Sequence, residues 1–346
     1  MKRTSVVAGV ASVSAIAAAL LAAFPASAEL NLKGKTVTVY VAGGVGGGLD
    51  TYARTLMPYL QKYLPGEPSV IASNMPGAGG VQAVAYLYNI APKDGTAIGT
   101  TNAGPVSEPL IGGKQLNYDL RKLRWIGSLV KGDTVCAMWH ESPVKSLDDA
   151  LKREVTISAT GATSAPTRTA LLLDAILHTK FRPIAGYDGG SSLLALERGE
   201  VDGTCMTLGS LKTTRPQWLS EKKLVPIVQV ALDPIPEYPD VPRAFDLATN
   251  ADDKAALEFL MLPYEFGNPY YLPAEASDDA LATYRRAFDA AMKDPAYLAD
   301  SEKRRQTPQP RTGAEVEKLV ARLFATAQPI IDRTIKATDP AQVREK

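Results

Sequence analysis

Gly43-Gly44-Val45-Gly46-Gly47-Gly48-Leu49-Asp50 stands between two differently patterned stretches. Ahead of it, Lys35 to Val41 alternates polar and apolar side chains as a strand does; behind it, Leu49 to Tyr63 carries a helical pattern. Glycines at such a junction let the backbone take positive φ and turn successive N–H groups toward one point, and the helix start adds the partial positive charge of its unpaired amides. The stretch therefore reads as the strand–turn–helix unit of an α/β fold with an anion cradle at the turn. A dinucleotide fingerprint would read G-x-G-x-x-G and place an acid at the end of the next strand, where Ser73-Asn74 stand; a P-loop would close on Gly-Lys-Ser or Gly-Lys-Thr. Neither is present. Tight packing is the other explanation for the glycines. Asp50 opens the helix, where the dipole favours it and Arg54 is its i+4 partner; it is read either in that role or as acceptor for a ligand hydroxyl, amine or bound water.

Outward from this unit the alternation continues, which predicts parallel sheets flanked by helices. Ser69 to Ser73 and Thr96 to Thr100 read as strands and Val81 to Asn89 as a helix, with a kink expected at Pro58 in the first helix. After Trp125 the pattern restarts: Val135 to Trp139, Val155 to Ala159, Phe181 to Ile184 and Val225 to Ala231 as strands, with helices over Leu147 to Lys152, Thr167 to His178 and Ser191 to Arg198. Pro234 to Pro242 is an irregular connection. The remainder reads as helical over Ala255 to Leu260, Asp278 to Met292 and Ala314 to Lys336, with caps at Ser277 and near Thr312.

The first 28 residues read as an export leader: Lys2 and Arg3, an apolar run from Val6 to Leu21, and Ala26-Ser27-Ala28 before a cut that leaves Glu29 as the first mature residue. No Cys follows that site, so lipid attachment there is excluded, and a freely soluble periplasmic product is expected. Without Lys2 and Arg3 the 38 basic residues become 36 against 37 acidic ones, a balance that gives no support to nucleic-acid or anionic-membrane binding. Roughly 318 mature residues exceed what one core usually supports, so two lobes are expected. Cys136 and Cys205 are the only cysteines, and in an oxidising compartment a pair more often bonds than stays free; two buried thiols are the alternative. Two histidines, His140 and His178, with no paired-Cys spacing, give no basis for a zinc site, and no metal or cofactor is expected.

Other junctions repeat the chemistry of the first. Ser158-Ala159-Thr160-Gly161-Ala162-Thr163-Ser164-Ala165-Pro166 leads from a strand into a helix whose first turn suits Pro166, and its hydroxyls and free amides suit a carboxylate. Thr100-Thr101-Asn102-Ala103-Gly104 and Tyr187-Asp188-Gly189-Gly190-Ser191 are weaker examples, each explicable as ordinary capping. There is no G-x-S-x-G elbow, Cys136 has no basic partner nearby in sequence, and the acid pairs Asp148-Asp149, Asp252-Asp253 and Asp278-Asp279 sit at helix starts where the dipole explains them. Nothing here points to catalysis.

Val45-Gly46-Gly47-Gly48-Leu49-Asp50-Thr51-Tyr52-Ala53-Arg54, Asn74-Met75-Pro76-Gly77-Ala78-Gly79-Gly80 and Pro92-Lys93-Asp94-Gly95-Thr96 resemble, in order, elements of the extracytoplasmic solute receptors of tripartite tricarboxylate transporters, the Bug proteins. Tyr118-Asp119, Gly199-Glu200-Val201-Asp202, Pro239-Asp240-Val241-Pro242 and Lys293-Asp294-Pro295 continue the resemblance, which covers nearly the whole mature chain. It implies a type II periplasmic-binding fold, two α/β lobes joined by crossing strands and closing over a ligand in the cleft. On this reading residues 29–126 and 235–346 form one lobe and 127–234 the other.

The resemblance also implies a small di- or tricarboxylate or aromatic acid held by the first loop (Val45, Gly46, Gly47, Gly48, Leu49, Asp50) and by Ser158, Thr160, Thr163 and Ser164 of the second lobe, with Tyr187 and Asp202 as further cleft-side positions; Thr101 and Asn102, at the weaker junction above, are added as candidates from their own chemistry. Val45 stands where the family has Pro, and Thr167-Arg168-Thr169 stand where it has His, departures that bear on ligand identity. The implied partner is the permease of such a transporter and the implied state a monomer. A ligand carrier for a sensor system and a cleft enzyme are the rival classes.

Overall fold

The computed structural model describes residues 30–112, 116–159, 164–187, 189–339 and 341. The leader, Thr160, Thr163, Asp188 and most of the C-terminal tail lie outside the described residues.

In chain order the first lobe holds β1 (Thr36–Val41), α1 (Gly48–Tyr63), β2 (Ser69–Asn74), α2 (Val81–Asn89), β3 (Ala97–Thr100), α3 (Ala103–Ile111) and β4 (Arg124–Ser128). The second holds β5 (Thr134–Trp139), α4 (Leu147–Lys152), β6 (Val155–Ala159), α5 (Ala165–Leu177), β7 (Phe181–Ala185), α6 (Gly189–Glu197), β8 (Gly203–Thr207), α7 (Leu208–Thr214), α8 (Pro216–Ser220) and β9 (Leu224–Val230). Then follow α9 (Ala244–Leu247), α10 (Ala251–Glu265), β10 (Pro269–Leu272), α11 (Asp278–Lys293), α12 (Pro295–Lys303), β11 (Arg311–Thr312), α13 (Gly313–Phe324) and α14 (Gln328–Ala337).

Two sheets result, ordered β11-β4-β10-β3-β1-β2 and β7-β6-β8-β5-β9. Alternation along the strands sorts side chains to the two faces of each sheet. Val37, Val39, Val41, Ile126 and Tyr270 join the core under α1 and α11, while Trp125 and Tyr271 join the one under α2 and α13. In the second sheet Cys136 and Met138 face one core and Val135, Ala137 and Trp139 the other. Cys136 and Cys205 lie directly opposite each other on the antiparallel pair β5 and β8 and are bonded, with S–S 2.00 Å.

The structure differs from the sequence reading at the C-terminal helices and at β10. α1 is a single element that contains Pro58, and Arg54 and Pro58 both lie on its exposed side, where water can take the freed carbonyl. The helix expected over Ala314 to Lys336 is two, α13 and α14, broken before Pro329, which suits a first turn and not an interior. β10 was not foreseen at all: its four residues are all buried, so no alternation marks it, yet it pairs antiparallel with both β3 and β4 in the middle of the sheet.

The chain passes between the lobes through residues 129–133 and returns along a helix rather than a second strand. One face of α10 (Ala256, Leu257, Leu260, Met261) packs in a core of the second lobe and another (Phe259, Leu262) in a core of the first, while Ala244 and Ala248 remain with the second lobe. Where the two passages meet, backbone lies on backbone. Gly267 has φ +56°, and a Cβ there would come within 1.8 Å of the Val130 carbonyl oxygen; one on Gly132 would come within 2.1 Å of that of Tyr264.

Candidate functional site

In the first sheet β1 pairs in parallel with β2 on one side and β3 on the other, so the chain leaves β1 in opposite directions around it. In the second, β6 stands likewise between the parallel strands β7 and β8. Ligands of open α/β sheets bind outside the carboxyl ends of strands at such a switch point. The loop after Val41 occupies the first of these positions, and Ala159 and Ser164, which bound the other loop singled out in the sequence, stand at the second.

The first loop is held from within. The Gly46 N–H, on a residue with φ +76°, donates to Asp50 Oδ2 at 2.8 Å. Arg54 Nε donates to both oxygens of Asp50 at 2.9 and 3.0 Å, and Asn74 Nδ2 donates to Asp50 Oδ1 at 3.0 Å and to the Gly43 carbonyl at 2.9 Å. Arg54 Nη2 in turn donates to Asn74 Oδ1 at 3.1 Å. The buried Asp50 carboxylate is thus the knot that ties loop, helix and β2 together. Burial opposes its ionisation, but the hydrogen bonds from Arg54, the Gly46 N–H and Asn74 outweigh that and hold it below the ordinary 3.8.

Interactions that depress a carboxyl in the fold stabilise fully above its unfolded value and are lost as the pH falls through the folded one. Asp50→Asn is expected to cost about 1–2 kcal/mol at neutral pH. The gap between variant and wild type, measured by urea unfolding across pH, should close below about pH 4. A gap that stayed constant into acid would show that the charge of Asp50 is not what the loop uses.

With the Gly46 amide committed to Asp50, the donors left to an incoming group are those of the helix start. The first helical bond of α1 runs from Thr51 N to the Gly47 carbonyl at 2.9 Å, so the amides of Gly48, Leu49 and Asp50 have no acceptor within the helix. Gly47, the residue at the cap, has no side chain to satisfy them. Val45 is 77 % exposed beside them. The Asn74–Gly80 motif is accounted for structurally: a Cβ on Gly80, at φ +100°, would meet Ala42 and Pro105, so this turn packs against the end of β1 and the start of α3.

Thr101 is buried at the end of β3, and the Asn102 side chain is used as the α3 cap, accepting from the Gly104 N–H at 3.0 Å. In the second lobe Ser158 is buried with its hydroxyl bonded to that of Ser192 at 2.7 Å. Ser164 stands at the cap of α5 without a cap bond to the helix amides, its hydroxyl 3.1 Å from that of Thr167. Tyr187 follows β7 at the same sheet edge, its amide donating to the Ala159 carbonyl at 3.3 Å.

Asp202 lies elsewhere. It precedes β8 at the level of Thr156, and its carboxylate accepts from Ser142 Oγ at 3.0 Å and from the Thr156 amide and hydroxyl at 2.9 and 2.7 Å. That places it at the amino ends of β6 and β8, the opposite edge from the Ser164 loop, as a brace of the sheet.

The two edges meet. A cavity of about 470 Å³ is lined by Ala103 and Gly104 at the start of α3 and by Ser164 and Ala165 at the start of α5. A second, of about 90 Å³, joins Tyr52 of α1 to Leu208 and Gly209 beyond β8. Two charged residues also line the larger cavity: Arg168, which the sequence singled out within Thr167-Arg168-Thr169, and Glu108, which sequence reading missed and which lies six residues past the cap Asn102. His140 is exposed, and His178 sits at the far end of α5 from the cleft, so no base faces the site from either.

Two α/β lobes turning the carboxyl edges of their sheets to a shared cleft define a solute-binding protein of the type II periplasmic-binding fold. The family described as the tripartite tricarboxylate transporter family receptor matches residues 53–335, and the chain belongs to it. Solved structures agree on the fold. A TctC solute-binding protein from Polaromonas superposes with TM-score 0.66 at 16% identity, covering 86% of this chain and 98% of that one. MatC from Rhodopseudomonas palustris with bound malate gives 0.62 at 22%, covering 88% and 98%. An R. palustris protein with adipate gives 0.64 at 15%, covering 87% and 97%. A comparison with curated protein sequences finds no match. Among the described residues no helix is long and apolar enough to cross a membrane.

Proposed function

We propose that this receptor captures a small carboxylate in its inter-lobe cleft and hands it to the permease of a tripartite tricarboxylate-type transporter, acting as a periplasmic monomer after removal of the leader at Ala28, and that it catalyses nothing. The observation that carries the reading is a pair of helix starts without side-chain caps, α1 from one lobe and α5 from the other, each at the switch point of its sheet. Backbone amides there bind an anion through partial charge, without burying a formal cation. Malate and adipate in the two R. palustris proteins support the ligand class.

In this site the amides of Gly48, Leu49 and Asp50 receive the carboxylate beside Gly47. Ser164 and the loop that contains Thr160 and Thr163 close from the second lobe, and Val45, Thr101, Asn102 and Tyr187 line the approach. The Gly46 amide and the Asp50 carboxylate act at one remove, by shaping the loop. Ser158 supports its loop through Ser192, and Asp202 takes no part. Thermal unfolding of the mature protein against mono-, di- and tricarboxylates and aromatic acids tests the reading: a ligand at 100 times Kd adds about 2.7 kcal/mol. Stabilisation by none of these classes would sink it.

A further inference from the structure

The smaller cavity lies between the lobes, beside the passage 129–133. Tyr52 lines it from the first lobe and Leu208 from the second, near the starts of α1 and α7, which leave the carboxyl edges of their sheets. It is therefore a margin of the cleft, and closing the lobes narrows it. Asp133 and Arg305 line it from opposite sides. Asp133 is tied to the second lobe: its carbonyl accepts from the Leu208 N–H at 2.8 Å, and Thr134 after it opens β5. Arg305 is tied to the first, at the end of α12, where the Gln306 N–H donates to the Ser301 carbonyl at 2.9 Å. Three cations line this cavity, and two are taken: Lys131 is paired with Asp233 at 3.4 Å and Lys212 with Glu237 at 2.6 Å. Among the described residues, the Arg305 guanidinium and the Asp133 carboxylate have neither a hydrogen bond nor an ion pair.

Each is costly as it stands. Asp133 is half-buried, and burial pushes its carboxyl above the ordinary 3.8 against the pull of Lys131. Glu237 adds to the rise, while Arg311 and Lys212 oppose it. Glu265, at the end of α10 and paired with Arg311, is the other acid that feels Asp133. Arg305 is exposed at φ +56°, in a helix-ending position that glycine fills without strain. A side chain kept at that position in spite of the strain, and a carboxylate desolvated without a partner, are complementary charges on facing lobes.

We propose that Arg305 reaches Asp133 when the lobes close, and that this ion pair is a latch favouring the closed, ligand-holding form. The proposal rests on the reading of a receptor that closes over a carboxylate, and adds a contact that joins the lobes without touching the ligand. A latch of this kind shifts the balance between open and closed protein, so it strengthens the binding of every acid that closes the lobes by the same factor. It also links closure to protons. Pairing with Arg305 lowers the Asp133 carboxyl from its raised open-state position, so closure releases a proton, and the latch is present above the open-state value and lost as the pH falls through the lower, closed-state one.

Calorimetric titration of wild type, Asp133→Asn, Arg305→Gln and the double variant with adipate, malate, citrate and benzoate tests this. Each single variant should weaken every acid that binds wild type by about twofold to tenfold, the range for an ion pair at a partly exposed site. The loss should not depend on the size of the acid, and the double variant should lose no more than either single one, because both remove the same contact. Wild-type affinity should also fall more steeply on acidification than that of Asp133→Asn, a difference that cancels the titration of the acids themselves and of Glu237 and Glu265. Losses that add in the double variant, single variants that bind as wild type does, or pH profiles that coincide would overturn the latch and leave the carboxylate site standing. Binding of no acid by wild type sinks both. A melting curve of each variant establishes that it is folded; should Asp133→Asn not fold, the exposed Arg305→Gln carries the affinity and pH tests alone.

Discussion

Replacing Cys136 and Cys205 together by alanine should lower stability by about 4 kcal/mol, the effect of opening a loop whose ends are 69 residues apart. That loop contains α4, β6, α5, β7 and α6, most of the parallel half of the second lobe, so the bond removes from the unfolded chain the freedom of the part that must assemble with the least local pairing. Both sulfurs are buried in one core, and alanine leaves a small void there as well. The midpoint of urea unfolding should drop for the double variant, and wild type should drop toward it when unfolded under dithiothreitol. Because the second-lobe sheet carries the bond and the first-lobe sheet does not, the spectroscopic signal of Trp139 and Trp218 should move first. A double variant within about 1 kcal/mol of wild type would mean that the unfolded chain is already constrained by other means.

Gly48→Pro should weaken carboxylate binding by about tenfold to a hundredfold, the range for a hydrogen bond to a charged group, with no loss of thermal stability. Gly48 is the first helical residue of α1, where proline is well tolerated. Gly47 before it is extended at φ −69° and ψ 165°, which a following proline requires, and a Cβ on Gly48 meets nothing within 4 Å. The substitution therefore deletes one amide donor and little else. Gly48→Ala, which keeps the amide, should bind as wild type does. If proline and alanine lower affinity alike, the loop acts through its shape and not through this N–H.

Much of the architecture was legible because it is written locally. Val37, Val39 and Val41 alternate with polar neighbours, five glycines follow within eight positions, and a helical period begins at Leu49; each signal spans a few residues, and together they define the unit around which the first sheet is built. The same holds for β5, β6 and α5, and for the cap at Thr312 that starts α13. β10 and the lobe-bridging role of α10 were not legible, since both are buried among distant segments and neither needs a period to show which side is wet.

The candidate site divides along the same line. Sequence by itself determined that strand–turn–helix junctions with glycines and hydroxyls stand at Gly43–Asp50 and Ser158–Pro166, because backbone freedom and capping are properties of consecutive residues. Tertiary structure alone decided which donors those junctions leave open. Asn74 arrives from the next strand to fasten Asp50, Asp50 takes the Gly46 amide, and Gly48, Leu49 and Asp50 are left with their own amides unused within the helix. It also decided that Asp202 braces the opposite edge of its sheet and that Glu108 and Arg168, 60 positions apart in sequence, line one cavity. Hydrogen bonds between segments distant in sequence depend on strand order and register, which the order of residues along the chain does not display.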